Sequence, residues 1–250
     1  MKKSNIFLIA AVLIFLASIL AFDFGIKNRY SKGDFRDQYD EFTALDFKDF
    51  DSIQVDACTM ANVKFIQGPF SVRVFEGRAD IVKVTQQGRL LSIDVSTKGN
   101  VFEDSPFTLI ISCPKINLLI ADDKYVENGK LRTDTNARID IVFNNMTIRP
   151  SKKVQVQGFR QDSISIIQNN GSHIRLVNNR FKSISAIIGK SSKSGSFLTI
   201  DETNVFNYAN LDIRNKSHLF MSKATIENLD YKLAQDAKVT FSGASAAQFQ

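Results

Sequence analysis

The C-terminal half of the chain repeats one short stretch three times: GSHIRL at residues 171–176, GSFLTI at residues 195–200 and KSHLFM at residues 216–221. Each copy places a serine before a bulky residue and then an alternating apolar run. Alternation with a period of two is typical of a β-strand that buries one face. Because the copies recur at intervals of roughly twenty residues, they indicate a repeat architecture in which successive strands stack.

The three stretches are the second members of strand pairs that recur from residue 138 to the end of the chain. The pairs are RIDIVF with VQVQG, SISII with SHIRL, SISAI with SFLTI, NLDI with SHLFM, and NLDY with AKVTF. Equivalent positions are predicted for Ile164, Ile184, Leu211 and Leu229 in the first strands, and for Ile174, Leu198, Leu219 and Val239 in the second. One insert, around GKSSKSG and DETNVFN, lengthens the period.

A repeat of about twenty residues cannot bury its own apolar face, so stacking must create the shared core. Two strands per repeat predict an all-β fold, a right-handed parallel β-helix-like solenoid whose repetitive turns span residues 137–243. The predicted corner residues tolerate positive φ or form turns: Asn170-Gly171, Asn178-Asn179, Gly189, Gly195 and Gly243. A β-sandwich is the competing fold, but it does not require strands to repeat in similar pairs.

The preceding part of the chain, residues 50–120, has the same texture. Short runs rich in valine and isoleucine, such as SIQV, SVRVF and LLSIDV, are separated by Gly, Pro or polar clusters. No stretch from Phe50 onward keeps apolar residues at helical spacing over ten or more positions. One β domain is therefore predicted over residues 50–250.

The N-terminus has a different character, because an almost wholly apolar run from Ile6 to Phe22 follows the pair Lys2 and Lys3. Residues 1–27 are predicted to be a signal anchor or transmembrane segment that contacts the membrane through residues 6–22. The run is longer than the h-region of a cleaved signal, and Ile19 spoils a cleavage site after Ala21, so an uncleaved anchor is favoured over a cleaved signal. The polar residues 28–49 are interpreted as a membrane-proximal linker.

The orientation expected for this segment conflicts with the positive-inside rule. Basic residues after the span, from Lys27 to Arg36, outnumber those before it and favour a cytoplasmic location for the C-terminal part of the chain. Export of the β domain is nevertheless favoured, because long downstream domains translocate largely regardless of charge.

The composition of the chain argues against several kinds of ligand. The formal net charge is +6, but lysines and arginines are scattered among acids, and no nucleic-acid-binding motif accompanies them, so nucleic acid is not an expected partner. Cys58 and Cys113 are either a disulfide of an exported protein or two small buried core residues. With only two histidines and no ligand spacing, no metal site is predicted, and no cofactor motif occurs.

The candidate binding residues are equivalent positions of the repeat. His173, Phe197 and His218 hold the same place in successive copies, so they are predicted to form a ladder on one face. Such a ladder is either structural stacking or a strip along which an extended polymer binds. Lys190 and Lys193 lie in the insert, which is either a plain connecting loop or a contact point for an anionic polymer.

The acidic pair Asp122-Asp123 is the one sequence feature that raises an enzyme hypothesis, since paired carboxylates can hydrolyse glycosidic bonds. It lies in a polar segment that is interpreted as a solvated turn. No second acidic cluster, nucleophile elbow or phosphate loop accompanies it. A non-enzymatic protein is therefore predicted.

The opening of the β domain resembles the auto-transporter adhesin head domain, or GIN domain, family. The resemblance rests on FDSIQV, NVKFIQG, SVRV and GRLLSI, which match the family's F-x-x-I-x-V, V-x-I-x-Q-G, V-x-V and G-x-L-x-I strands, with Phe65 as an apolar departure. It extends over roughly residues 50–243. The resemblance implies an exported, stacked β-helical module in the cell envelope of a diderm bacterium, in a family whose function is mostly unassigned.

Together these features predict a non-enzymatic, membrane-anchored envelope protein whose β module binds a glycan or another envelope polymer. A purely structural scaffold is the alternative, and an enzyme acting on polysaccharide is a weaker one. The polar tail GASAAQFQ closes a solenoid poorly. Terminal strand edges are therefore expected to need covering by the linker or by a partner, an oligomer included.

Overall fold

The structure is a computed structural model that describes residues 3–32, 39–98, 108–137, 142–143, 146–147, 153–201 and 203–242. The chain divides into two compact units, residues 1–42 and residues 43–250. The first unit contains one long helix and the second contains the β-strands. The prediction of an all-β domain behind an N-terminal apolar helix is confirmed at this level.

The helix, α1, spans Lys3–Lys32, five residues beyond the predicted anchor segment. Its portion Ile9–Lys27 is long and apolar enough to cross a membrane, a test that a signal sequence near an N-terminus also passes. Large apolar side chains along it, such as Phe15 and Leu20, are exposed. Ser18 donates its hydroxyl to the Ile14 carbonyl, so this polar group is satisfied within the helix.

Ten strands come before residue 137. They are β1 Phe42–Leu45, β2 Ser52–Val55, β3 Val63–Gln67, β4 Ser71–Phe75, β5 Val82–Gln87, β6 Leu90–Thr97, β7 Leu109–Cys113, β8 Leu118–Ala121, β9 Lys124–Glu127 and β10 Lys130–Thr133. Two short strands come next, β11 Val142–Phe143 and β12 Met146–Thr147. The stretch RIDIVF was predicted to open the repeats, but its described part, β11, pairs only with β12 in a separate antiparallel sheet.

Nine further strands complete the chain. They are β13 Val154–Gln157, β14 Arg160–Gln168, β15 His173–Val177, β16 Arg180–Ile188, β17 Phe197–Ile200, β18 Val205–Ile213, β19 His218–Ser222, β20 Thr225–Leu233 and β21 Lys238–Ser242. They alternate between two large sheets. Sheet A has the order β1-β4-β7-β3-β13-β15-β17-β19-β21, and sheet B has the order β10-β9-β6-β2-β8-β14-β16-β18-β20.

From β13 onward every pairing within sheets A and B is parallel, and each strand pairs with the strand two places along the chain. In sheet A, Ile174, Leu198, Leu219 and Val239 are in register, as predicted. We call one strand of sheet B with the following strand of sheet A a rung. The inner rung is β18 with β19, and the last rung is β20 with β21.

The predicted register in sheet B was wrong at one position. Ile184 pairs with Ala209, and Ala209 pairs with Leu229, whereas Leu211 pairs with Ala186 and Tyr231. The repeat strands of this sheet, β14, β16, β18 and β20, are nine residues long, so β18 begins at Val205, inside the stretch interpreted as an insert. The apolar pair Phe181 and Phe206 shows this register most directly, because the two rings stack at 5.5 Å.

The N-terminal half extends both sheets. β3 pairs in parallel with β7 and with β13, and β8 pairs in parallel with β2 and with β14. β4 and β5 reverse direction and pair antiparallel with β7 and β6. β1, which lies in the stretch interpreted as a linker, is placed at one edge of sheet A beside β4.

The core lies between the inward faces of the two sheets, where alternate residues such as Ile164, Ile174 and Leu198 are fully or almost fully buried. The chain changes sheets at corners, and each corner from β13 to β20 contains at least one residue with positive φ, whereas the described corner between β20 and β21 contains none. These residues are Gly158, Asn170, Asn178, Gly189, Lys193, Thr203, Asn215 and Lys223. Asparagine tolerates this conformation better than most residues, so the predicted corners at Asn170 and Asn178 have a physical basis.

Candidate functional site

The predicted ladder of His173, Phe197 and His218 is present on the outer face of sheet A. His173 pairs in register with Phe197, and Phe197 pairs with His218. The ring centroids are 5.1 Å and 4.7 Å apart, and both contacts are edge-to-face. Aromatic rings attract one another in this geometry. Lys238 continues the column on β21.

The ladder is less accessible than a binding strip requires. His173 retains 8% of its surface and Phe197 retains 9%, whereas His218 is half-buried. Each histidine shares a hydrogen bond from Nε2 with a threonine on the next strand: His173 with Thr199 Oγ1 at 3.1 Å, and His218 with Thr240 Oγ1 at 2.8 Å. The contacts are those of structural stacking along most of the ladder. Only its last member offers substantial surface to a ligand.

His218 is the titratable member of the ladder with a resolved shift. Burial lowers its pKa below the ordinary histidine value, and the nearby positive charge of Lys238 lowers the pKa further. The neutral imidazole is therefore the favoured form near neutral pH. A neutral ring that shares a hydrogen bond with Thr240 contributes packing and polarity to this face rather than positive charge.

The serine of the repeated stretch has its own role beneath the ladder. Ser172, Ser196 and Ser217 are all buried at the corner where the chain enters sheet A. Ser172 donates to Ser196 at 3.3 Å, and the Ser217 hydroxyl accepts from the Ser196 amide at 3.2 Å. These bonds satisfy polar groups that lie out of water. The recurrence of the serine is thus explained by a buried column of hydroxyls.

The opposite corner holds a pair of buried asparagines that the sequence analysis did not single out as a bonded unit. Asn204 Oδ1 accepts from both the amide and the side-chain nitrogen of Asn179, each at 3.0 Å. Asn204 also donates to the carbonyls of Leu176 and Asp201. The signal for this ladder was present, because an asparagine comes directly after the positive-φ residue in each case, at Asn178-Asn179 and Thr203-Asn204.

Three exposed lysines gather at the corner that precedes the ladder strands. Lys190 and Lys193 lie in the loop between β16 and β17, and Lys216 lies in the next corner of the stack. Hydrogen bonds join these two segments: the Lys216 amide donates to the Ser194 carbonyl, and Asn215 Nδ2 donates to the carbonyls of Gly189 and Ser191. We call Lys190, Lys193 and Lys216 the basic corner.

No salt bridge joins the basic corner to a carboxylate in the part of the chain that the structure describes. Two described acidic side chains that lie near these lysines along the chain are occupied, since Asp201 pairs with Arg175 and Asp212 pairs with Arg214. Among the described residues, the three ammonium groups therefore have no ion-pair partner, and they lie on a backbone fixed by hydrogen bonds. Such a group attracts extended anions.

The interpretation of Asp122-Asp123 as a solvated turn was wrong. Both residues are buried, Asp123 completely. Asp122 accepts from Asn170 and pairs with Lys124 at 2.9 Å, while Asp123 accepts from the amide and the hydroxyl of Thr59. These contacts fasten the segment after β2 to the start of β9. The two carboxylates act as structural acceptors, and neither lies open to a substrate.

Cys58 and Cys113 both carry free, buried thiols in the structure. Burial raises the pKa of the Cys113 thiol to about 12. Burial also raises the pKa of the Cys58 thiol well above its ordinary value, and the charges of Asp123, Asp122 and Asp56 raise it further. Thiols of such high pKa remain protonated and weakly nucleophilic. Both side chains therefore behave as small core residues.

Metal-ligating side chains do not cluster in the described ranges. Within them, no group of three or more His, Cys, Asp or Glu side chains is arranged to hold a metal ion.

Comparisons with known proteins identify neighbours among solved structures only. No protein-family model matches the chain, and no curated protein matches it. A "putative adhesin" from Bacteroides fragilis is 8% identical with a TM-score of 0.44, covering 80% of this chain and 96% of its own. A "putative adhesin" from Parabacteroides merdae is 12% identical with a TM-score of 0.34, covering 81% and 95%. A "Putative lipid binding protein" from Parabacteroides distasonis is 12% identical with a TM-score of 0.26, covering 81% and 94%.

These neighbours are too distant to carry a functional argument. The resemblance to the GIN domain family therefore stays a prediction, and the function must be argued from the residues of this chain.

Proposed function

We propose that the chain is a membrane-anchored, non-enzymatic cell-envelope protein that binds an anionic envelope polymer through the basic corner. The proposal rests on three exposed lysines that lie on two segments joined by hydrogen bonds. In the same proposal α1 is an uncleaved anchor, and the domain is exported to the envelope of a diderm bacterium as a member of the GIN domain family.

The proposal includes a fold, the right-handed parallel β-helix-like solenoid. It is supported by the parallel pairings from β13 to β21, with partners from 20 residues apart, as for Ile164 and Ile184, to 25 apart, as for Ile184 and Ala209. Positive-φ residues at successive corners also support it. In a solenoid, equivalent positions of successive rungs form lines, and lines suit extended polymers.

The polymer class is set by charge. Each lysine supplies an ammonium group that donates hydrogen bonds to carboxylate or phosphate oxygens. Half-buried His218 lies two residues after Lys216 and offers an imidazole edge beside that site. The predicted binding residues are thus Lys190, Lys193 and His218, with Lys216 added. Phe197 packs against His218, and His173 packs against Phe197.

The test uses the full chain in detergent micelles and an immobilised acidic polysaccharide, polygalacturonate, with neutral dextran as the reference surface. Saturable binding to polygalacturonate and none to dextran is expected. The triple variant Lys190→Ala, Lys193→Ala, Lys216→Ala should bind at least about tenfold more weakly, since each lysine near an anionic surface contributes about 1 kcal/mol. Binding should also weaken as salt rises.

A matched control distinguishes binding at the basic corner from attraction caused by the net charge. The variant Lys83→Ala, Lys115→Ala, Lys130→Ala removes the same charge from three exposed lysines of the N-terminal half. It should bind like the wild type. If the two triple variants lose binding equally, the attraction comes from net charge and the basic corner is not the site.

The scaffold function remains the second candidate, because the burial of His173 and Phe197 favours a structural ladder. It predicts that neither polysaccharide binds and that the triple lysine variant is indistinguishable from wild type in every binding measurement.

A further inference from the structure

Two arginines lie side by side at the corner where the chain leaves sheet A. Arg160 is the first residue of β14 and Arg180 is the first residue of β16, and the two are in register on parallel strands. Neighbouring strands of a sheet are about 4.8 Å apart. Both arginines are exposed, whereas the residues directly before and after each of them are buried or half-buried. The two side chains therefore project from the same outer face.

This pair differs from the other charged pairs of the two sheets. Counting Asp, Glu, Lys and Arg, the other register pairs of charged residues among the described strands are Lys83 with Asp94, Glu127 with Lys130, and Asp212 with Lys232. Each of these sets a positive side chain against a negative one. Arg160 and Arg180 set two positive side chains against each other, an arrangement that destabilises a sheet.

No carboxylate of the described residues offsets the charge of this pair. The salt bridges within those residues involve other basic side chains, and neither Arg160 nor Arg180 takes part in one. Asp162 follows shortly after Arg160 along the chain, but its carboxylate is bonded to Lys182 Nζ at 2.7 Å. An anion bound between the two guanidinium groups would turn their repulsion into two attractions.

The backbone that carries the two arginines is held by hydrogen bonds. Gln67 bonds both backbone groups of Arg160, since its Oε1 accepts from the amide at 3.0 Å and its Nε2 donates to the carbonyl at 3.1 Å. The Arg180 amide donates to the Phe159 carbonyl at 2.8 Å. Fixed backbone positions keep the two side chains adjacent and reduce the entropy that is lost when a ligand binds.

The chemistry of guanidinium determines the class of ligand. Each group is a planar fork of N–H donors that bonds two oxygens of a carboxylate or a phosphate at once. A carboxylate has only enough oxygens for one fork, whereas the oxygens of a tetrahedral phosphate reach two forks. A phosphate monoester also carries a charge of about −1.5 to −2 at pH 7, which offsets two guanidinium groups.

We propose that Arg160 and Arg180 form a binding site for a phosphate group, either inorganic phosphate or a phosphate monoester. The site is separate from the basic corner, because the arginines lie where the chain passes from sheet A to sheet B and the lysines lie where it passes back. It does not depend on the polymer-binding proposal.

NMR of the arginine side chains tests the site in the full chain in detergent micelles, with isotope-labelled arginine. Inorganic phosphate, titrated against chloride at constant ionic strength, should shift the Nε–Hε resonances of Arg160 and Arg180 saturably. The single variants Arg160→Gln and Arg180→Gln assign the two resonances. Acetate should bind at least about tenfold more weakly than phosphate, because it leaves one guanidinium without its charged hydrogen bonds.

A titration with glycerol phosphate distinguishes the two sources of the phosphate group. Affinity equal to that of inorganic phosphate assigns the site to an esterified phosphate, whereas weaker affinity assigns it to the free ion. Either result supports the site, provided that the same two resonances respond.

The urea midpoint tests whether repulsion between the arginines is the cause. In chloride at low ionic strength, Arg160→Gln should raise the midpoint above that of the wild type, because it removes the like-charge contact. In phosphate at the same ionic strength the order should reverse, since the wild type gains stability by binding phosphate. The general stabilising effect of phosphate acts on both proteins alike. Far-UV circular dichroism verifies that each variant is folded.

Lys83→Gln is the matched control, because exposed Lys83 is in register with a residue of opposite charge, Asp94. It should not raise the midpoint in chloride, and its gain in phosphate should equal that of the wild type.

Two outcomes would overturn the proposal. One is a phosphate titration in which the resonances of Arg160 and Arg180 shift no more than those of the other arginines. The other is a gain in midpoint from phosphate that is the same for the wild type and Arg160→Gln, which would assign the gain to a general salt effect.

Discussion

The inner rung and the last rung have nearly the same sequence pattern and lie in very different surroundings. NLDI in β18 and NLDY in β20 are near-copies, but they lie two positions out of register, so Leu211 pairs with Tyr231. Leu211 is completely buried, whereas Tyr231 is more than half exposed. The neighbours differ, because among the described strands β18 has a strand on each side and β20 has one. The burial of these paired positions therefore depends on their place in the sheet as well as on the side chain.

The largest expected effect compares matched core positions of the two rungs. Leu211→Ala should lower the free energy of unfolding by about 2–5 kcal/mol, because it opens a cavity between two strands. Tyr231→Ala should cost less than about 1 kcal/mol when the chain is monomeric. Urea denaturation of the full chain in detergent, followed by circular dichroism at low protein concentration, measures both.

Equal losses for these two variants would contradict the comparison.

The next effect concerns the asparagine corner, which the last rung lacks because Ala224 follows Lys223 where Asn204 follows Thr203. Asn204→Ala should cost about 1–3 kcal/mol, since it leaves the buried Asn179 amide unsatisfied. Asn210→Ala is the matched control, because this asparagine is exposed on the adjoining strand β18, and it should change stability by less than about 0.5 kcal/mol. If Asn204→Ala lowers the stability no more than Asn210→Ala does, the hydrogen bonds between Asn179 and Asn204 do not stabilise the fold.

A smaller effect is expected from pH at the boundary between the two rungs. The pKa of His218 is lowered in the folded state, so the unfolded chain binds a proton more readily. The stability that His218 contributes is present above the unfolded pKa of about 6.5 and is lost as pH falls through the folded value. The urea midpoint of wild type should therefore drop more between pH 7 and pH 5 than that of His218→Gln.

Parallel pH profiles for the two proteins would show that His218 does not titrate differently on folding. The difference between profiles is the relevant quantity, because acidic groups such as Asp51 and Asp56 also titrate on folding.

The smallest effect is expected on the outer face of sheet B. Lys182 and Asp162 form a salt bridge at 2.7 Å, but both side chains are largely exposed and solvent screens their charges. Lys182→Ala should leave the urea midpoint unchanged within error, in 50 mM and in 500 mM salt alike. A salt-sensitive loss would mean that this pair contributes more than its exposure suggests.

The sequence predicted the register of paired strands correctly where the apolar pattern repeats regularly, and incorrectly where it does not. The register of Ile174, Leu198, Leu219 and Val239 was predictable, because these strands keep the apolar alternation in every copy, although Ala237 replaces the serine in the last one. Leu211 was misplaced because the strands of sheet B begin earlier than their apolar cores, at polar or mixed residues such as Arg180 and Val205. Pattern alone does not mark where such a strand begins.

The sequence predicted that the candidate residues occupy equivalent positions, and it did not predict how exposed they are. The equivalence of His173, Phe197 and His218 was implied by the repeat, but their burial depends on what covers the outer face, which periodicity does not record. Asp122 and Asp123 looked solvated because their partners Thr59 and Asn170 lie 64 and 48 residues away along the chain. Local polarity carries no information about contacts that distant.

The parallel register also has a consequence for the order of events during folding. Each strand after β13 and β14 pairs with one that was synthesised only 20 to 25 residues earlier, so new rungs can be added one at a time to an existing edge. By contrast, β3 and β8 must wait for β13 and β14, 91 and 47 residues downstream by their paired positions Val63–Val154 and Leu118–Ser165. We therefore expect the junction between the two halves to form more slowly than the repeats.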